Sequence, residues 1–84
     1  MERDQVEAAI RLIWSKILTN FEIDADDDFF ELGGDSLQMM DMIFEVSKTL
    51  KIDIEPPDLF QDSTLKGFSA VAAEKVAAQP HIAE

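Results

Sequence analysis

Gly33-Gly34-Asp35-Ser36-Leu37-Gln38-Met39-Met40-Asp41-Met42-Ile43-Phe44-Glu45-Val46-Ser47-Lys48-Thr49-Leu50 decides how the rest of the chain is read. Asp35 is a good N-cap and Gln38 falls three positions later, so the run predicts a helix over 36–50 opened by a capping box. At about 100° per residue, Met39, Met42, Ile43, Val46 and Leu50 fall within roughly 100° of arc, the width of a core-facing stripe. Leu37, Met40 and Phe44 form a second apolar stripe roughly 130° away. A helix in a small bundle needs only one. The second stripe is either covered by loop residues, with Phe29 and Phe30 as candidates, or left open as a docking patch. Asp41, Glu45 and Lys48 flank it on the outer side. A small apolar patch edged by acids, starting one residue after a helix-opening serine, is read as a recognition surface. Of the clustered methionines only Met40 lies on it; Met39 and Met42 are read as adaptable core filler.

Working outward, Val6, Ile10, Ile13, Trp14 and Ile17 recur at helical spacing and predict a helix over 4–18, with Asp4 as N-cap and Glu7 as its capping-box partner. A long acidic connection follows over 19–35. A loop of that length is uncommon in a compact domain and often functional. Its Phe21, Ile23, Phe29, Phe30 and Leu32 are expected to pin it onto the bundle. Beyond the central helix, Ile52 and Ile54 read as an extended exit and Pro56-Pro57 as a break. Asp58-Leu59-Phe60-Gln61 can form one short helical turn. A last helix is expected over 64–78, capped by Thr64 or Ser63, with Leu65, Phe68, Val71, Ala72 and Val76 buried. Gly67 within it costs up to about 1 kcal/mol relative to alanine. No segment alternates with period two. The expected fold is all-α: a small four-helix bundle of three longer helices and one short one, with a long loop between the first two. It forms a single domain over 1–84, ordered from about 4 to 78, with a frayed tail over 79–84.

Composition narrows the function. Eighteen acidic residues against seven basic ones give a net charge of −11. Such a surface repels phosphate backbones and anionic lipid, which argues against nucleic-acid or membrane binding. Acidity at this level can accompany disorder, but 46% of the residues are hydrophobic and fall in periodic stripes, which argues for a folded domain. A folded acidic domain suits docking on basic patches of other proteins. The chain has no cysteine, so no disulfide or thiolate metal site supplements the core. No apolar run approaches the roughly 20 residues that span a bilayer, and Met1-Glu2-Arg3-Asp4 lacks a secretory h-region. A cytoplasmic protein is expected.

Ser36 follows two glycines at the first position of a helix. Gly33 and Gly34 let the backbone turn sharply and are expected to leave room beside the serine. The helix N-terminus offers unpaired N–H groups and the positive end of the dipole, a setting that suits a phosphodiester. On these residues alone a plain helix-start serine remains equally open. A hydrolase built on Gly34-Asp35-Ser36-Leu37 needs a histidine base and an α/β sheet. The one histidine, His81, lies in the expected tail. Asp24, Asp26, Asp28 and Asp35 match four ligand positions of a calcium loop, but Phe29 stands where that turn demands glycine, and Asp35 is shorter than the bidentate glutamate. These acids are read as a solvated loop capping nearby N–H groups, with no metal site and no catalytic residue.

The run Asp28-Phe29-Phe30-Glu31-Leu32-Gly33-Gly34-Asp35-Ser36-Leu37 resembles the attachment-site signature of acyl and peptidyl carrier proteins, most closely the peptidyl carrier (thiolation) type. Ile13-Trp14-Ser15-Lys16-Ile17-Leu18 resembles the end of that family's first helix. Leu59-Phe60 with Ser63-Thr64-Leu65 resembles its approach to the last one. Proline is frequent in relatives at Ser63 and glycine at Lys51. The paired glycines and Trp14 favour peptidyl over fatty-acid carriers, which more often have alanine in place of Gly34. The resemblance implies a non-catalytic carrier with 4'-phosphopantetheine, taken from coenzyme A, attached to Ser36, supported by Gly34 and Asp35. It implies partners: a phosphopantetheinyl transferase, an adenylate-forming activating enzyme, and downstream condensing, tailoring or releasing enzymes. Leu37, Met40, Asp41, Phe44 and Glu45 correspond to docking positions, in agreement with the second stripe. The cargo would be acyl, aminoacyl or peptidyl, held as a thioester, as in nonribosomal peptide or related secondary metabolism. Starting at a methionine without linkers, the chain is read as a free-standing monomer.

Overall fold

Helices form where the hydrophobic period predicts them. The computed structural model describes residues 1–79, with α1 Arg3–Leu18, α2 Ser36–Leu50, α3 Pro56–Phe60 and α4 Leu65–Ala78. Among the described residues there is no strand, only an isolated antiparallel bridge between Asp28 and Thr64. The expected tail lies almost wholly outside the described residues, as does His81. Gln79, placed in that tail, instead caps α4 and its side-chain amide donates to the carbonyl of Lys51.

α1 packs against both α2 and α4, and α3 bridges α2 and α4. Val6, Ile10 and Trp14 are fully buried, with Ile13 and Ile17 packed at the edge of the core. The start of α1 differs from expectation. The N-cap is Glu2, two residues before Asp4, and its N–H donates to Gln5 Oε1 at 2.8 Å. Glutamine three positions on serves the same purpose there as glutamate. α3 also starts earlier, at Pro56 and Pro57. Proline suits the first turn of a helix, where its missing N–H has no intrahelical acceptor, so the pair that reads as a break opens the helix. On α4, Leu65, Phe68 and Ala72 are buried, and Ser69 joins them. Val71 is only half-buried and lies outside the core cluster; Val76 packs against its edge. Thr64 caps α4, its Oγ1 accepting from the Gly67 N–H at 3.1 Å.

The long loop is held by two kinds of contact. Ile23 and Phe29 are buried and Leu32 is half-buried, while Phe30 and Phe21 are exposed, so three of the five apolar loop residues pin the loop onto the bundle. Phe29 lies edge-on to Trp14, ring centroids 5.1 Å apart. Trp14 in turn lies 6.2 Å from Phe68. Backbone bonds tie the loop to the start of α4: Phe29 N–H to Ser63 O, Leu65 N–H to Asp27 O and Lys66 N–H to Ala25 O, all at 2.9 Å. The acids do cap and pair rather than gather. Asp24 N–H donates to Asp27 Oδ2, Asp28 Oδ1 accepts from the N–H groups of Phe30 and Glu31, and Asp26 pairs with Lys66 at 2.8 Å.

Two substitution-sensitive positions gain their reason from this packing. Lys51 ends α2 with φ 57°, left-handed, which costs a non-glycine residue about 1–2 kcal/mol. Gly67 has Asp62 where its Cβ would stand, within 2.6 Å. Glycine there makes room for the residue that hydrogen-bonds the cap, an offset to its low helix propensity.

Candidate functional site

The turn before α2 is built from three residues with different duties. Gly33 has φ +101°, open to glycine and strained for any L side chain. Its N–H donates to the carbonyl of Phe30 at 3.0 Å, and the Gly34 N–H donates to that of Phe29 at 3.0 Å. Gly34 leaves no spare room. A Cβ there would come within 2.4 Å of the Phe29 ring and 2.8 Å of its carbonyl oxygen. The space expected beside the serine is thus filled at Gly34 by Phe29, and Gly34 serves close packing.

Asp35 then caps α2 as the sequence predicts. Its Oδ1 accepts from the Gln38 N–H at 2.8 Å, and Gln38 Oε1 accepts from the Asp35 N–H at 3.1 Å. Gln38 Nε2 also donates to the Ile17 carbonyl at 3.3 Å, linking this turn to the end of α1. Asp35 O accepts from Met39 N–H at 2.8 Å. The cap leaves the N–H groups of Ser36 and Leu37 as the open donors of the helix end. Ser36 itself is exposed. An accessible hydroxyl beside open donors and the positive end of a fifteen-residue helix fits a phosphodiester.

Behind Ser36, α2 presents its two faces. Met39, Met42, Ile43, Val46 and Leu50 are all buried. Leu37, Met40 and Phe44 are 74%, 49% and 65% exposed, so neither Phe29 nor Phe30 covers them. Asp41 is exposed beside this stripe. Glu45 is set apart from it. It is half-buried and lines a groove with Leu12, Ile13, Lys16 and Thr49 on the α1 side. It also holds Lys48 at 3.5 Å, and the Lys48 ammonium stands 5.7 Å from the centre of the Phe44 ring. One feature escapes sequence reasoning: Phe30 stacks on Phe60, centroids 6.0 Å apart and planes 19° off parallel. Thirty positions separate them, so only the fold brings them together.

The family described as "Phosphopantetheine attachment site" matches residues 8–72. The chain belongs to this family. The phosphopantetheine-attachment domains are carriers, in general non-catalytic, that bind 4'-phosphopantetheine covalently and tether intermediates on it. Similar proteins include surfactin synthase subunit 3 of Bacillus subtilis, 41% identical over 68 residues covering 81% of this chain. Bacitracin synthase 2 of Bacillus licheniformis is 34% identical over 73 residues covering 87%. The chain spans only 5% and 3% of the lengths of these two proteins. A solved nonribosomal PCP domain superimposes with a TM-score of 0.71 at 25% identity, covering 84% of this chain and 88% of that one. The type-II acyl-carrier protein BlmI from Streptomyces verticillus, involved in bleomycin biosynthesis, shares the fold, with a TM-score of 0.76, 24% identity and coverage of 81% and 82%. The all-α bundle read from the sequence is the fold of these phosphopantetheine carriers.

Proposed function

We propose that Ser36 is the attachment residue and that the chain shuttles an aminoacyl, peptidyl or related acyl group between biosynthetic enzymes of nonribosomal-peptide type. The carrying observation is Ser36 itself: an exposed hydroxyl at the first position of α2, directly after a turn fixed by Gly33, Gly34 and the Asp35 cap. Ser36 Oγ attacks the β-phosphorus of coenzyme A on a phosphopantetheinyl transferase. The pyrophosphate P–O bond breaks, adenosine 3',5'-bisphosphate leaves, and the hydroxyl proton passes to the transferase's base. The bound group supplies a flexible arm whose thiol holds the cargo as a thioester. Ser36 and Leu37 N–H groups favour the diester's negative charge. Asp35 keeps the turn in place through its cap.

Leu37, Met40 and Phe44 form the docking patch, and Asp41 offers partners an exposed charge at its edge. Glu45 acts at the flank, through Lys48. An adenylate-forming enzyme loads the arm, and condensing, tailoring or releasing enzymes unload it. The protein acts as a cytoplasmic monomer and a single domain. Its relatives' names support peptide assembly.

The test is the intact mass before and after incubation with a broad-specificity phosphopantetheinyl transferase and coenzyme A, alongside Ser36→Ala. The expected result is a gain of one phosphopantetheine by the wild type and none by the variant. A folded wild type that carries no arm beforehand and gains none would make the chain an unloaded interaction module.

A further inference from the structure

Gln38 serves two helices with one side chain. At the third position of α2 its Oε1 accepts from the Asp35 N–H at 3.1 Å, the return half of the capping box. Its Nε2 donates to the Ile17 carbonyl at 3.3 Å, 21 positions away. That carbonyl belongs to the last turn of α1, where C=O groups lack intrahelical partners. The N–H groups that close α1, from Thr19 and Asn20, both go to Ser15 O, so Ile17 O is left for Gln38.

This network fixes which way the amide points. Turned over, it would set its NH2 against the Asp35 N–H and its oxygen against the Ile17 carbonyl, two repulsive contacts in place of two bonds. A capping box needs the acceptor alone, which glutamate supplies as well as glutamine. The donor half therefore does something a cap does not require: it fastens the first turn of α2 to the end of α1.

Ser36 stands two residues after Gly34 and two before Gln38. Upstream, the Gly34 N–H is bonded to the Phe29 carbonyl, and the Phe29 ring fills the space beside Gly34. Downstream, the Gln38–Ile17 bond is a second anchor. Helix ends fray, and here the end of the helix carries the exposed hydroxyl. Resting on Ser36 as the attachment residue, we propose that Gln38 is a positioning residue for its loading. The bond to Ile17 holds the first turn of α2 on the body of the protein, so Ser36 Oγ keeps one place relative to Met40 and Phe44, where the transferase docks. The oxygen then meets the phosphorus of coenzyme A without a search for the right geometry.

The experiment measures loading of the full chain by a broad-specificity phosphopantetheinyl transferase and coenzyme A, as kcat and KM from intact mass, together with melting temperatures. The wild type is compared with Gln38→Glu, Gln38→Lys and Gln38→Met. Glutamate keeps the acceptor and loses the donor. Lysine keeps a donor of sufficient reach and loses the acceptor. Methionine has neither and adds no charge. If Gln38 were a cap alone, loading would follow stability, with glutamate good and lysine poor in both. The expected result is that the two orders cross. Gln38→Glu should melt close to the wild type, since a charge at the positive end of the helix offsets the lost bond. Its kcat should fall about 10-fold at unchanged KM, inside the roughly 100-fold that a 1 Å misplacement can cost. Gln38→Met should lose as much, while Gln38→Lys should melt lower and yet recover most of the rate. Wild-type kcat in Gln38→Glu overturns the proposal and leaves the Ser36 reading intact. So does a loss in KM alone, which would make Gln38 a contact of the transferase. A loss confined to Gln38→Glu and absent from Gln38→Met overturns it as well, by assigning the effect to the added charge. A wild type that gains no mass overturns both.

Discussion

Met42 and Phe44 stand two residues apart on α2, one fully buried and the other largely exposed. Met42 shares its side of the helix with Met39, Ile43, Val46 and Leu50, facing the core. Phe44 shares its side with Leu37 and Met40 and meets solvent, with the Lys48 ammonium near its ring. The two faces differ in what comes to meet them, since both are rich in large apolar side chains. Hydrophobicity alone therefore does not say which face makes the core. What decides is that α1 and α3 supply one layer of partner surface, and the loop that could have supplied a second is spent elsewhere, with Phe29 on Trp14 and Phe30 on Phe60.

The sharpest way to break this comparison is to truncate one residue on each face. Met42→Ala removes a fully buried side chain and should cost about 2–5 kcal/mol of folding free energy by chemical denaturation. Phe44→Ala removes more atoms and should change stability by no more than about 0.5 kcal/mol. In transfer assays with a partner enzyme the order reverses, with Phe44→Ala slowing the use of the loaded chain. If Phe44→Ala unfolds the domain, the outer stripe belongs to the core and the docking reading fails.

Next in size is Gly34→Ala, a test of how tightly the loop is joined to α2. The added methyl meets both the Phe29 ring and the Phe29 carbonyl, and a carbonyl cannot rotate away as a side-chain end can. A loss of about 1–3 kcal/mol is expected, in the range of overpacked sites. Loading at Ser36 should slow as well, because the same turn positions the serine. An alanine variant as stable and as readily loaded as the wild type would show that Phe29 does not anchor this turn.

These contacts mark where sequence reading stopped. The stripes and cap of α2 were legible because they are local: their period and the Asp35–Gln38 spacing lie within one helix. The start of α1 was misplaced because Glu2 with Gln5 and Asp4 with Glu7 offer the same pattern, and nothing nearby separates them. Pro56-Pro57 fits both the end of one segment and the first turn of the next. The motif singles out Ser36 as the candidate, and it does not give the reasons for its glycines. The Phe29 ring against Gly34 and the Asp62 carboxylate against Gly67 meet across irregular turns of five residues, and no hydrophobic period reports such a meeting. The same holds for the Phe30–Phe60 stack and the Asp28–Ser63 bond, which join residues about thirty positions apart. Periodicity reports which face of an element is apolar, and it carries no information on which distant residue arrives there.

The smallest effect concerns the far side of the loop's anchorage, the cap of α4. The Thr64 hydroxyl donates to Asp62 Oδ1 at 2.7 Å and the Thr64 N–H at 3.1 Å. These bonds, the hydroxyl's first, hold the Asp62 carboxyl below its ordinary range, with a lesser contribution from Lys66. A carboxyl whose folded value is depressed stabilises the fold in full above the ordinary carboxylate range near pH 4, and loses that contribution as pH falls through its folded value. Lys66 is raised by its bond to Asp26, so its own contribution is lost only on the alkaline side, as pH rises through the folded value, outside this window. Asp62→Asn keeps a carbonyl acceptor but no charge. Its melting temperature should lie slightly below that of the wild type at pH 7, and the gap should close in acid as Asp62 is protonated. The effect is small because Asp62 is exposed and solvent screens it. A gap that persists undiminished in acid would assign the loss to altered packing against Gly67, and the charge on Asp62 would then contribute nothing to the cap.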